Sequence, residues 1–130
     1  GNTGAQGLGY RPSCEIKGTL TAGKRHSFDV LDGGFIVGGG TLVAGEDGIT
    51  ASDGVDESTI TITALDASGA VLGTVGTFLL EVSKTDGQRV AMTLGAYLSL
   101  PAGATLAYEL ANTLGSGATI AEGAFFELTN

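Results

Sequence analysis

The chain has 130 residues, which is enough for one domain with a single hydrophobic core and too short for two. Apolar residues make up 42% of it but aromatic residues only 6%, with 23 glycines and no tryptophan, so we expect a core of small aliphatic side chains on strands joined by tight turns. The net charge of −8 at pH 7 argues against nucleic acid and anionic membranes as partners, because both bind basic patches. Membrane insertion is not expected either, since no apolar run approaches about 18 residues.

The chain opens with glycines at a spacing of three, at Gly1, Gly4 and Gly7. A collagen triple helix requires this spacing because only glycine fits at its crowded axis. Residues 1–13 are therefore predicted to be the end of a collagen-like stalk, which would make the chain a homotrimer. A flexible glycine-rich linker or a cloning remnant is the alternative interpretation. Residues 14–130 are predicted to form the head domain.

Beyond the lead, apolar and polar residues alternate with period two, which predicts β-strands, and helical periodicity is nearly absent. The clearest hairpin has strands at 59–65 and 70–72 around a turn at 66–69. Ile60 and Ile62 would face the core, and the intervening threonines would face water. The predicted core consists of the apolar residues on one face of each strand: Ile60, Ile62, Ala64, Phe78, Leu80, Val82, Val90, Met92, Leu94, Leu98, Leu100, Leu106, Tyr108, Leu110, Ala124, Phe126 and Leu128.

Glycine-rich turns separate these strands. Short connections without crossover helices predict antiparallel pairing, and therefore an all-β antiparallel jelly-roll sandwich of about eight to ten strands. A β-solenoid would need a fixed repeat, which this sequence does not show. The predicted turns lie at residues 32–34, 38–40, 47–48, 53–54, 86–87, 101–103 and 115–117.

One segment has the glycine and lysine spacing of a phosphate-binding loop, at residues 18–24. That loop needs Ser or Thr after the lysine and then a helix whose N-terminus faces the phosphates. Here Arg25 follows Lys24, and residues 26–30 have a strand pattern instead. We therefore predict no nucleotide site.

The sequence offers few residues for catalysis or metal binding. His26 is the only histidine and Cys14 the only cysteine, so an intrachain disulfide cannot form, and no nucleophile motif is present. The acidic stretch 46–57 could supply oxygen ligands for calcium, but it lacks the EF-hand pattern and its Asp-Gly pairs are typical of turns. We predict that the chain is not an enzyme and has no cofactor or metal.

Two resemblances extend this interpretation. The segment Leu-Ser-Leu-Pro-Ala-Gly-Ala-Thr-Leu at 98–106 and the closing Ala-Phe-Phe-Glu-Leu at 124–128, after a Gly-x-x lead, resemble the trimeric heads of the C1q/tumour-necrosis-factor-like jelly-roll group. Residues 58–71 and 78–83 are similar to a β-module frequent in tailed-phage virion proteins. These resemblances imply a trimeric fibre or spike head at the virion surface, held by other virion proteins and attaching to a host surface. A capsid decoration protein and a secreted bacterial collagen-like surface protein are the alternatives.

If the head attaches to a host, its polar glycine-rich loops are the expected contact, because loops vary without disturbing a sandwich core. The acidic side chains there disfavour an acidic glycan and favour a neutral glycan or a protein as receptor, since like charges repel across an interface. The predicted receptor-contact residues are Glu46, Asp47, Asp53, Asp56, Lys84 and Asp86.

Overall fold

The described residues of the chain are entirely β-structure and turns. The computed structural model describes residues 11–16, 18–21, 23–32, 34–46, 48–50, 58–80, 85, 87–96, 99–110, 118–120 and 123–130. Within these ranges no helix occurs, and hence none that could cross a membrane. The strands are β1 (Ser13–Glu15), β2 (Gly18–Leu20), β3 (Arg25–Val30), β4 (Phe35–Ile36), β5 (Gly39–Val43), β6 (Ile49–Thr50), β7 (Ser58–Leu65), β8 (Val71–Leu80), β9 (Arg89–Ala91), β10 (Thr93–Leu94), β11 (Ser99–Leu100), β12 (Thr105–Leu110), β13 (Ala118–Ile120) and β14 (Phe125–Thr129).

Two larger antiparallel sheets pack face to face. The four-stranded sheet has the order β1-β14-β5-β9, and the five-stranded sheet has the order β10-β8-β7-β12-β3. Phe126 of the first sheet packs against three aromatic rings of the second, with centroid distances of 4.9 Å to Phe28, 5.7 Å to Tyr108 and 5.8 Å to Phe78. The predicted all-β antiparallel sandwich is thereby confirmed.

The strand pairs are nested along the chain. β1 pairs with β14, β2 with β13, β3 with β12, β4 with β11 and β5 with β9, and the β7–β8 hairpin lies innermost. The chain is thus one long antiparallel ribbon. The ribbon rolls up, so that β14 also pairs with β5 and β12 also pairs with β7.

Short strands cover both ends of the sandwich. The β4–β11 pair brings buried Phe35 and Leu100 to one end. The three-stranded sheet β2-β13-β6 brings buried Leu20 and Ile49 to the other. The core therefore extends past the ends of the two larger sheets.

The β7–β8 hairpin forms where the sequence predicts it. Its turn is held by Asp66, whose Oδ1 accepts hydrogen bonds from the Ser68 and Ala70 N–H groups at 2.9 Å each and from the Ser68 hydroxyl at 2.7 Å. These bonds to the charged carboxylate lower the pKa of Asp66. Gly69 adopts the left-handed backbone (φ 90°) that completes the turn.

Most of the predicted core is buried, but Leu94 is 43% exposed and that prediction is wrong. The alternation from Val90 to Leu94 predicts one strand, whereas the chain leaves the four-stranded sheet after β9 and enters the five-stranded sheet at β10. Leu94 then lies on a sheet edge. Val90 is half-buried, and Val82 and Leu98 lie outside the described residues.

The predicted turn at residues 38–40 is also wrong, because Gly39 and Gly40 begin β5. Glycine is needed there for close packing. A Cβ on Gly40 would lie 3.2 Å from Met92 Sδ, and one on Gly76, in the opposite sheet, would lie 2.5 Å from the same sulfur. Met92 therefore fits between the two sheets because Gly76 lacks a side chain, and the absence of one at Gly40 avoids a further tight contact.

The two faces of β7 should differ in their contribution to stability. Ile62→Ala should lower the free energy of unfolding by about 2–5 kcal/mol, because it removes fully buried methyl groups and leaves a cavity. Thr61→Ala, on the half-buried outer face, should change it by only about 0.5 kcal/mol. Urea unfolding of both variants measures the difference, and equal shifts of their midpoints would contradict the assignment of faces.

Candidate contact surfaces

The sandwich has two distinct ends. We call the end where β1 begins and β14 finishes the proximal end, and the opposite end the distal end. The registers within each sheet, with the order of the strands along the chain, place at the proximal end Ser13, Val30, Gly39, Leu65, Val71, Thr105 and Thr129. They place at the distal end Glu15, Arg25, Val43, Ser58, Leu80, Arg89, Leu110 and Phe125.

The predicted receptor-contact residues belong to connections between strands that end distally. Glu46 is exposed there, in a turn closed by a 2.9 Å hydrogen bond from the Gly48 N–H to the Gly45 carbonyl oxygen. The other five, Asp47, Asp53, Asp56, Lys84 and Asp86, lie outside the described residues. Their segments join β5 to β6, β6 to β7 and β8 to β9. The described strands that flank these segments therefore have their nearest ends at the distal end of the sandwich.

The outer face of the four-stranded sheet, the side away from the core, carries an ordered row of side chains. Register places Glu15 beside Phe125, Phe125 beside Val43, and Val43 beside Arg89. Phe125 is 38% exposed, and both charged residues are exposed. The row thus has a negative edge, an apolar centre and a positive edge.

A second row runs parallel to this one on the proximal side. It consists of Ser13, Glu127, Thr41 and Ala91. The Arg11 guanidinium lies 3.5 Å from a carboxylate oxygen of Glu127, and both side chains are largely exposed. Such an exposed ion pair adds little stability. Because three of its four residues are polar, the row is mainly a polar surface.

The outer face of the five-stranded sheet differs in character. Its central row consists of Thr93, Thr77, Thr61, Glu109 and Arg25. The Arg25 guanidinium lies 3.7 Å from the Glu109 carboxylate, to which the Thr63 hydroxyl also donates a hydrogen bond at 3.4 Å. The opposite charges in this row therefore lie side by side, with the Thr63 hydroxyl next to the carboxylate.

A third surface is the open flank, where β1 and β3 form the edges of their sheets. The His26 and Tyr108 rings stack there with centroids 4.9 Å apart, and Phe28 lies beside them. Burial, with a smaller contribution from the Glu15 carboxylate, raises the pKa of the Cys14 thiol. Burial and the nearby Cys14 also raise the pKa of Tyr108. A thiol with a raised pKa is a poor nucleophile, so this cluster favours packing over covalent chemistry.

The sequence pattern predicted few of the side chains that form these three surfaces. The strand assignment of the Phe-Phe pair at 125–126 already implies that one ring faces outward, which is the available signal for Phe125. The segment with the glycine and lysine spacing of a phosphate-binding loop begins with β2 and leads into β3. A strand therefore stands where that loop would need a helix. No group of three metal-ligating side chains lies together among the described residues.

The Cys14 thiol should react slowly in the folded protein. At pH 8, alkylation by iodoacetamide should be about tenfold slower than in urea, because burial disfavours the thiolate and restricts access. Glu15→Gln should speed the folded-state reaction, since it removes a negative charge that raises the pKa, whereas Glu127→Gln should not. Mass spectrometry of timed samples measures the rates, and equal rates in the folded and unfolded chain would contradict the prediction.

Comparison with known proteins gives no further information about these surfaces. The chain matches no protein-family description, no curated protein and no solved structure. The roles of the three surfaces therefore follow from their residues and from their positions in the fold.

Proposed function

We propose that the chain is the trimeric head of a virion fibre or spike, displayed at the particle surface. The separation of the two ends is the observation that carries this proposal. The glycine-spaced lead precedes Arg11 and joins the sandwich at its proximal end, whereas the predicted receptor-contact segments join strands at the distal end. A projecting head needs this arrangement, with attachment to the particle at one end and contact at the other.

The nested strand pairs support a jelly-roll assignment for the head. A jelly roll is a double-sheet sandwich whose strands form two Greek keys. A ribbon with β1 against β14 at its open end and the β7–β8 hairpin at its tip gives such a sandwich when it rolls up. Because many functions occur on this fold, the fold supports the proposal without identifying a receptor.

The charge of the contact segments bears on the receptor. Glu46 is exposed at the distal end, and four of the other five predicted contact residues, Asp47, Asp53, Asp56 and Asp86, are also acidic. An acidic glycan would be repelled by this set of charges. A neutral glycan or a host protein is the receptor class we propose.

Two other roles are compatible with a β-sandwich behind a glycine-spaced lead. A capsid decoration protein would commit a large surface to the shell and would not bind the host. A secreted bacterial collagen-like protein would be trimeric without belonging to a particle. Oligomeric mass and host adsorption distinguish these roles.

The purified chain should be a trimer. We expect a mass of three times the 12.9 kDa of one chain in light scattering at tens of micromolar protein. Removing residues 1–10 should weaken the trimer if the stalk contributes to assembly. A monodisperse monomer of the intact chain would contradict the trimeric head.

Excess purified head should inhibit adsorption of the virus to host cells. Glu46→Lys, at the distal end, should raise the half-inhibitory concentration severalfold, because it changes the charge of the proposed contact surface. The matched control is Ala67→Lys in the exposed turn at the proximal end, which should leave inhibition unchanged. Unchanged adsorption at saturating wild-type head would contradict attachment and favour the decoration role.

A further inference from the structure

We infer that copies of this chain contact one another through the outer face of the four-stranded sheet, head to tail around a threefold axis, with Glu15 of one copy facing Arg89 of the next. This inference rests on the proposed trimer and identifies the surface that forms it. The partner of the surface is a second copy of the same chain.

The arrangement of the row carries the inference. Glu15 lies on β1 and Arg89 on β9, the two opposite edges of the sheet. Since neighbouring strands are about 4.8 Å apart, the two charges are separated by about 14 Å across the face, too far to pair within one copy. Phe125 and Val43 occupy the two strands between them. The row is therefore complementary to its own copy placed edge to edge.

The charges also select the type of contact. A twofold contact that joined β1 to β1 would bring two Glu15 carboxylates to one interface, and one that joined β9 to β9 would bring two Arg89 guanidinium groups to one interface. Like charges in these positions disfavour association. Placing β1 of one copy beside β9 of the next opposes unlike charges at every contact, and such a head-to-tail arrangement closes into a ring of three when successive copies are related by a rotation of about 120°.

The centre of the row is suited to the axis. Phe125 is an exposed aromatic side chain, and aromatic residues are enriched in the cores of protein interfaces, where they contribute most of the binding energy. In a ring whose sheets face the axis, three Phe125 rings and three Val43 side chains would converge. The five-stranded sheet also has exposed apolar side chains on its outer face, among them Val71 and Leu79. Its Arg25 and Glu109 charges already meet within one copy, so this face lacks the separated opposite charges that another copy could satisfy.

The position of the lead is consistent with the same axis. β1 belongs to the four-stranded sheet, and the glycine-spaced residues precede it in the chain. If this sheet faces the threefold axis, the three leads depart from the side nearest the axis. A collagen-like stalk requires its three chains to come together in this way.

Charge exchange tests the contact directly. Glu15→Arg and Arg89→Glu should each raise the concentration at which half of the trimer dissociates by about tenfold or more, because each opposes like charges at three contacts. The double variant should restore that concentration to within about threefold of wild type. Phe125→Ser should weaken the trimer about thirtyfold or more. Sedimentation across a dilution series measures these effects, and circular dichroism checks that each variant is folded.

Arg25→Glu provides the matched control, since it reverses the same charge on the outer face of the other sheet and should leave dissociation unchanged. If the wild-type chain is a trimer and the Glu15, Arg89 and Phe125 variants dissociate at the same concentration as wild type, the trimer forms through another surface. The proposed trimer itself is then unaffected. If the single charge variants weaken the trimer but the double variant does not recover, the head-to-tail pairing is wrong. A monomeric wild-type chain would overturn both the trimer and this surface.

Discussion

The packing of Phe126 between the two sheets is the interaction on which the rest of the structure depends. The chain has only five phenylalanines, three tyrosines and no tryptophan, yet the ring of Phe126 contacts three other aromatic rings across the sandwich. Aromatic side chains bury large areas, and edge-to-face pairs add stabilisation beyond that burial. Small aliphatic residues fill the space around this cluster. Because Phe126 is fixed inward, its neighbour Phe125 must point outward, and an apolar centre on the outer face follows directly from the packing of the core.

The two flanks of the sandwich are closed by different means. On one flank the chain itself passes from β9 to β10, and the Met92 N–H donates a 2.9 Å hydrogen bond to the Gly40 carbonyl oxygen. The Met92 side chain then lies against glycines of both sheets, and a methyl group added at Gly76 would collide with it. On the other flank β1 and β3 are edges, and the stacked His26 and Tyr108 rings cover the gap. The protonated thiol of Cys14 suits this partly buried position, because a charged group there would lose its hydration.

Because the ribbon rolls up, the two ends of the sandwich and the outer faces of its two larger sheets are separate surfaces. β1 begins and β14 finishes at the proximal end, whereas the strands that flank the acidic segments have their nearest ends at the distal end. The outer faces of the sheets then differ because their charges are arranged differently. Arg25 and Glu109 are neighbours on one face, and Glu15 and Arg89 lie on opposite edges of the other. A neighbouring ion pair is satisfied within one copy, whereas separated charges can be satisfied by another copy.

Local features were readable from the sequence alone. Period-two alternation assigned the strands and their buried faces, as for Ile60 and Ile62, and the Asp66 to Gly69 turn located the central hairpin, because both depend on residues within a few positions of one another. Only the tertiary structure decided which sheet each strand joins. Leu94 is exposed because the chain changes sheets at Met92, and Gly39 and Gly40 are strand residues because β5 pairs there with the last residues of β14. The row from Glu15 to Arg89 likewise exists only after β1, β14, β5 and β9 pair. Such pairing is set by contacts between residues far apart in the chain, which no local pattern encodes.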